Sequence, residues 1–233
     1  GWLGIDPGPE EESRPEVFEL AAKMRRKFGE KNWIGVTWPK EYGGRGESLW
    51  KEMVLLRELA YRGSPGMDLA IAQADLLLHF GTEEQKRKYL PRISSGEWAA
   101  AYALSEASSG SDALAARTKA VLSPDKKHWI LNGAKQWISN AGFADVFIVF
   151  AKVDGQHFSA FIVERGSGVE VQHVYGLLGM RGGGTGRVYF RDARVPAENV
   201  IGGEHGGVLV FNQMMIPERM TSAAGALGTA RAA

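Results

Sequence analysis

Apolar residues recur at spacings of three and four through the first hundred residues, the period of one buried helix face. Val17, Phe18, Ala21, Met24 and Phe28 set the pattern; Leu49, Met53, Leu56 and Ala60 continue it, as do Leu76, Leu77 and Phe80 after Met67. The run Thr82-Glu83-Glu84-Gln85 reads as a capping box, in which the threonine hydroxyl and the glutamine side chain satisfy orphan amides and start a further helix. Between the first two helices lies a connector, residues 33–46, punctuated by proline and glycine and rich in aromatics.

Near residue 98 the period turns strand-like. Strands are expected at 99–104, 118–122, 129–132, 135–138, 146–152, 159–163, 169–173 and 188–191, with turn signals at Ser123-Pro124-Asp125 and Asn132-Gly133. Eight short strands without intervening helices exclude a doubly wound parallel sheet, because parallel strands need long crossovers, and leave an antiparallel barrel or sandwich. From Val208 the pattern is helical again through Phe211, Met214 and Met215. Pro217 is expected to restart a helix whose body, 221–233, is rich in small residues and lacks a stop signal, so more protein is expected after Ala233.

Composition narrows the function classes. The 233 residues carry 28 basic and 27 acidic side chains, a formal charge of +1, which excludes a protein built to grip nucleic acid. The basic clusters at 23–27 and 86–88 sit among acids and read as solvated helix faces. The absence of cysteine removes disulfide frameworks, cysteine zinc sites, iron–sulfur clusters and thiol nucleophiles together, and points to a reducing cytoplasm. The longest apolar run, 146–151, falls far short of the ~20 residues that cross a bilayer. The chain begins with Gly1, without a signal peptide, and reads as a fragment. Glycine is in excess at 30 residues, and 12 of them crowd into 166–207.

The five histidines show no i,i+4 pair, so no metal site is expected; there is no Walker A loop, and the glycines at 182–186 do not complete a dinucleotide fingerprint. Two polar segments at strand ends remain. Residues 102–112 (YALSEASSGSD) offer hydroxyls and backbone amides to a phosphate or to the carbonyls of a flat heterocycle, although an ordinary polar turn has the same composition. Residues 136–142 (QWISNAG) set an indole beside a hydroxyl donor, which suits a planar cofactor; a core tryptophan fits the same pattern.

Together these segments resemble the acyl-CoA dehydrogenase family of flavoproteins. The family's pattern Tyr-x-x-Thr/Ser-Glu-Pro-x-x-Gly-Ser-Asp is matched by Tyr102, Ser105, Glu106, Gly110, Ser111 and Asp112. Its pattern Asn-Gly-x-Lys-x-Trp-Ile-Thr/Ser-Asn is matched by Asn132, Gly133, Lys135, Trp137, Ile138, Ser139 and Asn140. Residues 179–202, with Thr185, Phe190, Val195-Pro196 and Asn199, and the connector 37–44 are of the same type. Departures are Ala107 in place of proline and Ser108-Ser109 in place of Gly-Ala, which are expected to loosen this loop.

The resemblance implies an α+β multidomain protein: a helical domain over 1–97, a middle antiparallel β-barrel over 98–203, and over 204–233 the first helix of a helical bundle. It implies FAD held by Tyr102, Leu104, Ser105, Gly110, Ser111, Trp137, Ile138 and Ser139, with Leu104 and Ser105 on the pyrimidine side, Trp137 beside the ring and the Ser139 hydroxyl toward flavin N5. Ser111 would also meet the acyl-CoA phosphates, and Arg219 would contact substrate. The chemistry implied is α,β-dehydrogenation of an acyl-CoA thioester, with electrons passed to an electron-transfer flavoprotein by a homotetramer. Such chemistry needs a positioned carboxylate to take the α proton. Glu218, followed by Arg219, occupies the place where isovaleryl-type and long-chain members carry that base. Pro217-Glu218 is also an ordinary helix start, and on that alternative the base lies beyond Ala233. A related oxidase or monooxygenase, and a non-catalytic acyl-CoA-binding subunit, are the rival readings.

Overall fold

The computed structural model of the chain describes residues 15–64, 71–166, 168–179 and 183–233. Met67 and the first glycine of the 182–186 cluster lie outside them. Four helices come first: α1 (Pro15–Glu30), α2 (Leu49–Tyr61), α3 (Ile71–Phe80) and α4 (Glu83–Ser94). The capping box forms as the sequence predicts, Gln85 N–H donating to the Thr82 hydroxyl and Thr82 N–H to the Gln85 side chain. One basic residue departs from expectation: Arg25 is partly buried, and its Nε donates to the Gly96 carbonyl at 3.0 Å, tying α1 to the turn that leads into the sheet.

Eight strands follow: β1 (Ala100–Ala103), β2 (Lys119–Leu122), β3 (His128–Ile138), β4 (Val146–Val153), β5 (His157–Glu164), β6 (Val169–His173), β7 (Gly186–Pro196) and β8 (Val200–Ile201). They form one sheet in the order β6-β7-β3-β2-β4-β5-β8, with β1 also on β4. Two expectations fail here. The sheet is not a closed barrel, and it is mixed, because β1 and β2 both run parallel to β4. The long crossover that parallel pairing needs is supplied here without an α-helix: β3 connects β2 to β4, and the 104–118 excursion, β2 and β3 connect β1 to β4. Since β5 pairs along the whole of β4, β1 and β2 share its opposite edge, and the chain between them, 104–118, is an excursion that leaves that edge and returns to it.

Asn132-Gly133 is not a turn. It lies inside the single strand β3, where Gly133 has φ of +153° and a Cβ would stand 2.6 Å from the Thr118 hydroxyl. The register against β7 slips at this point, so glycine serves a bulge with close strand approach rather than a hairpin.

The apolar run at 146–151 is buried on both faces. Val146, Ile148 and Phe150 face a core shared with the helices, while Phe147, Val149 and Ala151 face a second core inside the sheet. Each fully buried side chain of this size contributes roughly 1.5–3 kcal/mol, so β4 is the spine joining the two cores.

The last helix, α5 (Gly207–Ala232), runs unbroken through Pro217, contrary to the expected restart. It packs along α2, where Gly228 lets the backbones meet: a Cβ there would stand 2.2 Å from the Arg57 carbonyl. Among the described residues no helix is long and apolar enough to cross a membrane.

Candidate functional site

The 104–118 excursion and the end of β3 are stitched together. Gln136 N–H donates to the Ser105 carbonyl at 2.9 Å. Next to it the Lys135 ammonium donates to the Leu104 carbonyl at 3.0 Å and to Glu106 Oε1 at 2.8 Å. Glu106 in turn accepts from Arg117 N–H at 2.6 Å, Thr118 N–H at 3.0 Å and the Thr118 hydroxyl at 2.6 Å, so both ends of the excursion converge on one carboxylate.

The turn lacking proline is nonetheless held. Glu106 N–H donates to the Ser109 carbonyl at 2.9 Å, Ser109 N–H returns a bond to the Glu106 carbonyl at 3.1 Å, and the Ser109 hydroxyl donates to the Asp112 carbonyl at 2.7 Å. Reciprocal backbone bonds do here what a fixed φ was expected to do. Ser111 and Gly110 stay exposed at the tip, with open space around Gly110.

At the other edge a register slip between Lys135 and Ile138 re-aims β3. Trp137 sits in it with φ of +63° and is 56% exposed, although every neighbouring strand has core to offer an indole. A bulky residue in the left-handed region is an outlier, tolerated where the surrounding bonds over-determine it. Those bonds are Gln136 to Ser105 on one side and Asn140 on the other, whose N–H donates to the Gly183 carbonyl at 2.8 Å and whose side-chain amide donates to the Ala100 carbonyl at 3.2 Å. Ile138 is buried beneath and pairs with Gly186, while Ser105 and Ser139 are half-buried. Three segments far apart in sequence thus meet around one strained, open indole.

Tyr102 and Leu104 point to the helical side of the sheet, into the core that includes Val210, Phe211 and Met214 of α5. The Tyr102 ring meets Phe150 edge-on at 5.2 Å, and its hydroxyl is buried with no hydrogen-bond partner among the described residues. Burial, and then the charge of Glu218, push this phenol well above the ordinary tyrosine range. Glu218 is half-buried in the body of α5, so Pro217-Glu218 is not a helix start; Arg219 is exposed. Among the described residues no cluster of three or more histidines, aspartates and glutamates could hold a metal.

Sequence reasoning gave Lys135 and Glu106 only as motif positions. Their pairing leaves a signal, since a lysine within a strand that is otherwise half core needs a buried anion, but nothing in the spacing says which.

The order of these segments matches a known arrangement. The profile of the acyl-CoA dehydrogenase N-terminal domain fits residues 5–97, and that of the acyl-CoA dehydrogenase middle domain fits residues 101–193. The chain belongs to the acyl-CoA dehydrogenase family. It is 42% identical to a probable acyl-CoA dehydrogenase of Bacillus subtilis over 92% of this chain and 37% of that protein, and 37% identical to mitochondrial isovaleryl-CoA dehydrogenase of Pongo abelii over 98% of this chain and 56% of that one. A crystal structure of a Bacillus anthracis acyl-CoA dehydrogenase complexed with FAD superposes with a TM-score of 0.86 at 38% identity, covering 97% of this chain and 39% of that one. The chain therefore spans between about a third and about three-fifths of such relatives.

Proposed function

We propose that the chain carries the flavin face of an FAD-dependent acyl-CoA dehydrogenase. The observation that supports this best is Trp137, exposed and in the left-handed region where the three signature segments meet. Strain of this kind clusters at active sites and ligand clamps. The donor set suits a flavin: an aromatic wall, half-buried hydroxyls at Ser105 and Ser139, and an open, amide-rich loop at Gly110-Ser111 for phosphates.

In this reading Tyr102, Leu104, Ser105, Gly110, Ser111, Trp137, Ile138 and Ser139 hold FAD, Leu104 and Ser105 toward the pyrimidine side and the Ser139 hydroxyl toward N5. FAD, when bound, supplies the acceptor for the β-hydride of an acyl-CoA thioester. Glu218 takes the α proton: it is a half-buried carboxylate on α5, on the same side of the sheet as Tyr102 and Leu104, and its charge reaches the Tyr102 phenol. Ser111 and Arg219, both exposed, meet the polar part of acyl-CoA. An electron-transfer flavoprotein as electron acceptor, a homotetramer and a cytoplasmic setting complete the proposal, resting on the family and, for the last, on the absence of cysteine.

Reconstitution with FAD tests the cofactor assignment. The purified chain is expected to turn yellow, quench flavin fluorescence saturably and lose both with Ser139→Ala combined with Trp137→Ala. A wild-type chain that stays colourless in excess FAD contradicts it.

A further inference from the structure

The Lys135 and Glu106 side chains are 0% and 6% exposed and form an ion pair at 2.8 Å. Burial lowers the Lys135 pKa against the opposing pull of Glu106; on Glu106 the hydrogen bonds from Lys135 and Thr118 outweigh burial and leave it below the usual carboxylate range. Replacing such a pair by well-packed apolar residues is often neutral or stabilising, so its presence is weak evidence that the fold needs it for stability.

Its hydrogen bonds show what it does fix. Besides each other, the two side chains hold the Leu104 carbonyl, the Arg117 and Thr118 amides and the Thr118 hydroxyl. These groups lie at the two roots of the excursion from the β4 edge, and Gln136, adjacent to Lys135, takes the carbonyl of Ser105 between them. The pair thus sets the backbone of Leu104 and Ser105 relative to the bulge that carries Trp137.

We propose that Lys135 and Glu106 are positioning residues for the flavin: a buried clamp that holds the Leu104–Glu106 backbone and the Trp137 bulge at a fixed separation, without touching the cofactor. This rests on the cofactor reading above and deepens it. Side chains that orient binding groups from behind commonly change affinity by about 10- to 100-fold, as shown for metal ligands.

The test compares the whole chain with Lys135→Met, with the double variant Lys135→Met/Glu106→Gln and with Thr118→Val. Lys135→Met leaves a buried carboxylate unpaired and is expected to lower the melting midpoint strongly. The double variant removes the ammonium and the carboxylate together and keeps one acceptor oxygen for the Thr118 amide and hydroxyl, so its midpoint recovers in part. Its FAD dissociation constant, read by flavin fluorescence, stays about tenfold or more above wild type, and amide exchange speeds up at Ser105, Glu106 and Gln136, because the Leu104 carbonyl has lost its donor. Thr118→Val, the milder arm, folds normally and binds FAD a few-fold more weakly, having lost one bond to Glu106. Affinity equal to wild type in folded double and Thr118→Val variants overturns the clamp and leaves the cofactor reading standing. A wild-type chain that takes no FAD overturns the cofactor reading and the clamp with it.

Discussion

Tyr102 on β1 and Glu218 on α5 are coupled electrostatically across the junction of sheet and last helix, and the phenol that feels this charge is buried without a hydrogen-bond partner among the described residues. A hydroxyl left unpaired in a folded interior has given up its bonds to water without replacement, a loss that a shape-matched apolar group does not incur. Tyr102→Phe is therefore expected to leave the stability of the ligand-free chain unchanged or to raise it by up to about 1 kcal/mol. Chemical denaturation measures this, and a loss beyond about 1 kcal/mol shows that the hydroxyl has a partner in the free chain.

A half-buried aspartate sits in the helical part, beside a buried glutamate. Trp38 Nε1 donates to Asp75, and Glu52, 2% exposed, lies close enough to act on it. Burial, then the charge of Glu52, raise Asp75 to about 7 despite the bond from Trp38. The folded chain thus binds this proton more tightly than the unfolded one, so the contribution of Asp75 to stability is full at about pH 4 or below, declines as pH rises toward 7 and is lost above it. Asp75→Asn removes this titration. Its melting midpoint is expected to exceed wild type at pH 8 and to fall less between pH 5 and 8; parallel curves for the two proteins contradict the assignment.

Trp137 separates strain from function. Its left-handed backbone costs on the order of 1–3 kcal/mol, and its exposed indole buries little in return. Trp137→Gly is expected to keep or raise the melting midpoint while weakening FAD binding about tenfold or more, as loss of a stacking wall of about 1–3 kcal/mol requires. A variant that loses stability but keeps FAD affinity assigns the indole to packing instead.

Gly228 gives a test of how α5 is seated. Glycine to alanine in an exposed helix adds up to about 1 kcal/mol of stability. Here the new methyl would stand 2.2 Å from the Arg57 carbonyl and 2.8 Å from Ala60 Cβ, so the sign reverses. Gly228→Ala is expected to lower stability by about 1–3 kcal/mol, the usual range for overpacking; a stabilised variant contradicts the close crossing.

Local features were legible in the sequence wherever one residue's chemistry decides them. The Thr82–Gln85 capping box depends on four adjacent residues, and the boundary near 98 on a change of period; both are there. Asn132-Gly133 misled because glycine serves a hairpin and a bulge equally, and the choice rests on Thr118, which approaches only after folding. Pro217 misled because a proline that suits a helix start also occurs within a helix, and α5 runs through it. The parallel pairing of β1 and β2 with β4 depends on which edge the 104–118 excursion returns to, a non-local choice that strand patterning does not encode. The site residues were readable as motif positions, whereas the bonds that assemble them, Lys135 to Leu104 and Asn140 to Ala100, were not.

Anaerobic titration of the FAD-reconstituted chain with short, branched and long acyl-CoA esters tests most directly the proposed acyl-CoA dehydrogenation with Glu218 as the base. At least one ester is expected to bleach the flavin absorbance in the wild-type chain, and none in Glu218→Gln, which still binds FAD. Bleaching retained by Glu218→Gln contradicts the base assignment, and a flavin-loaded wild-type chain that no ester bleaches contradicts the proposed activity of this chain.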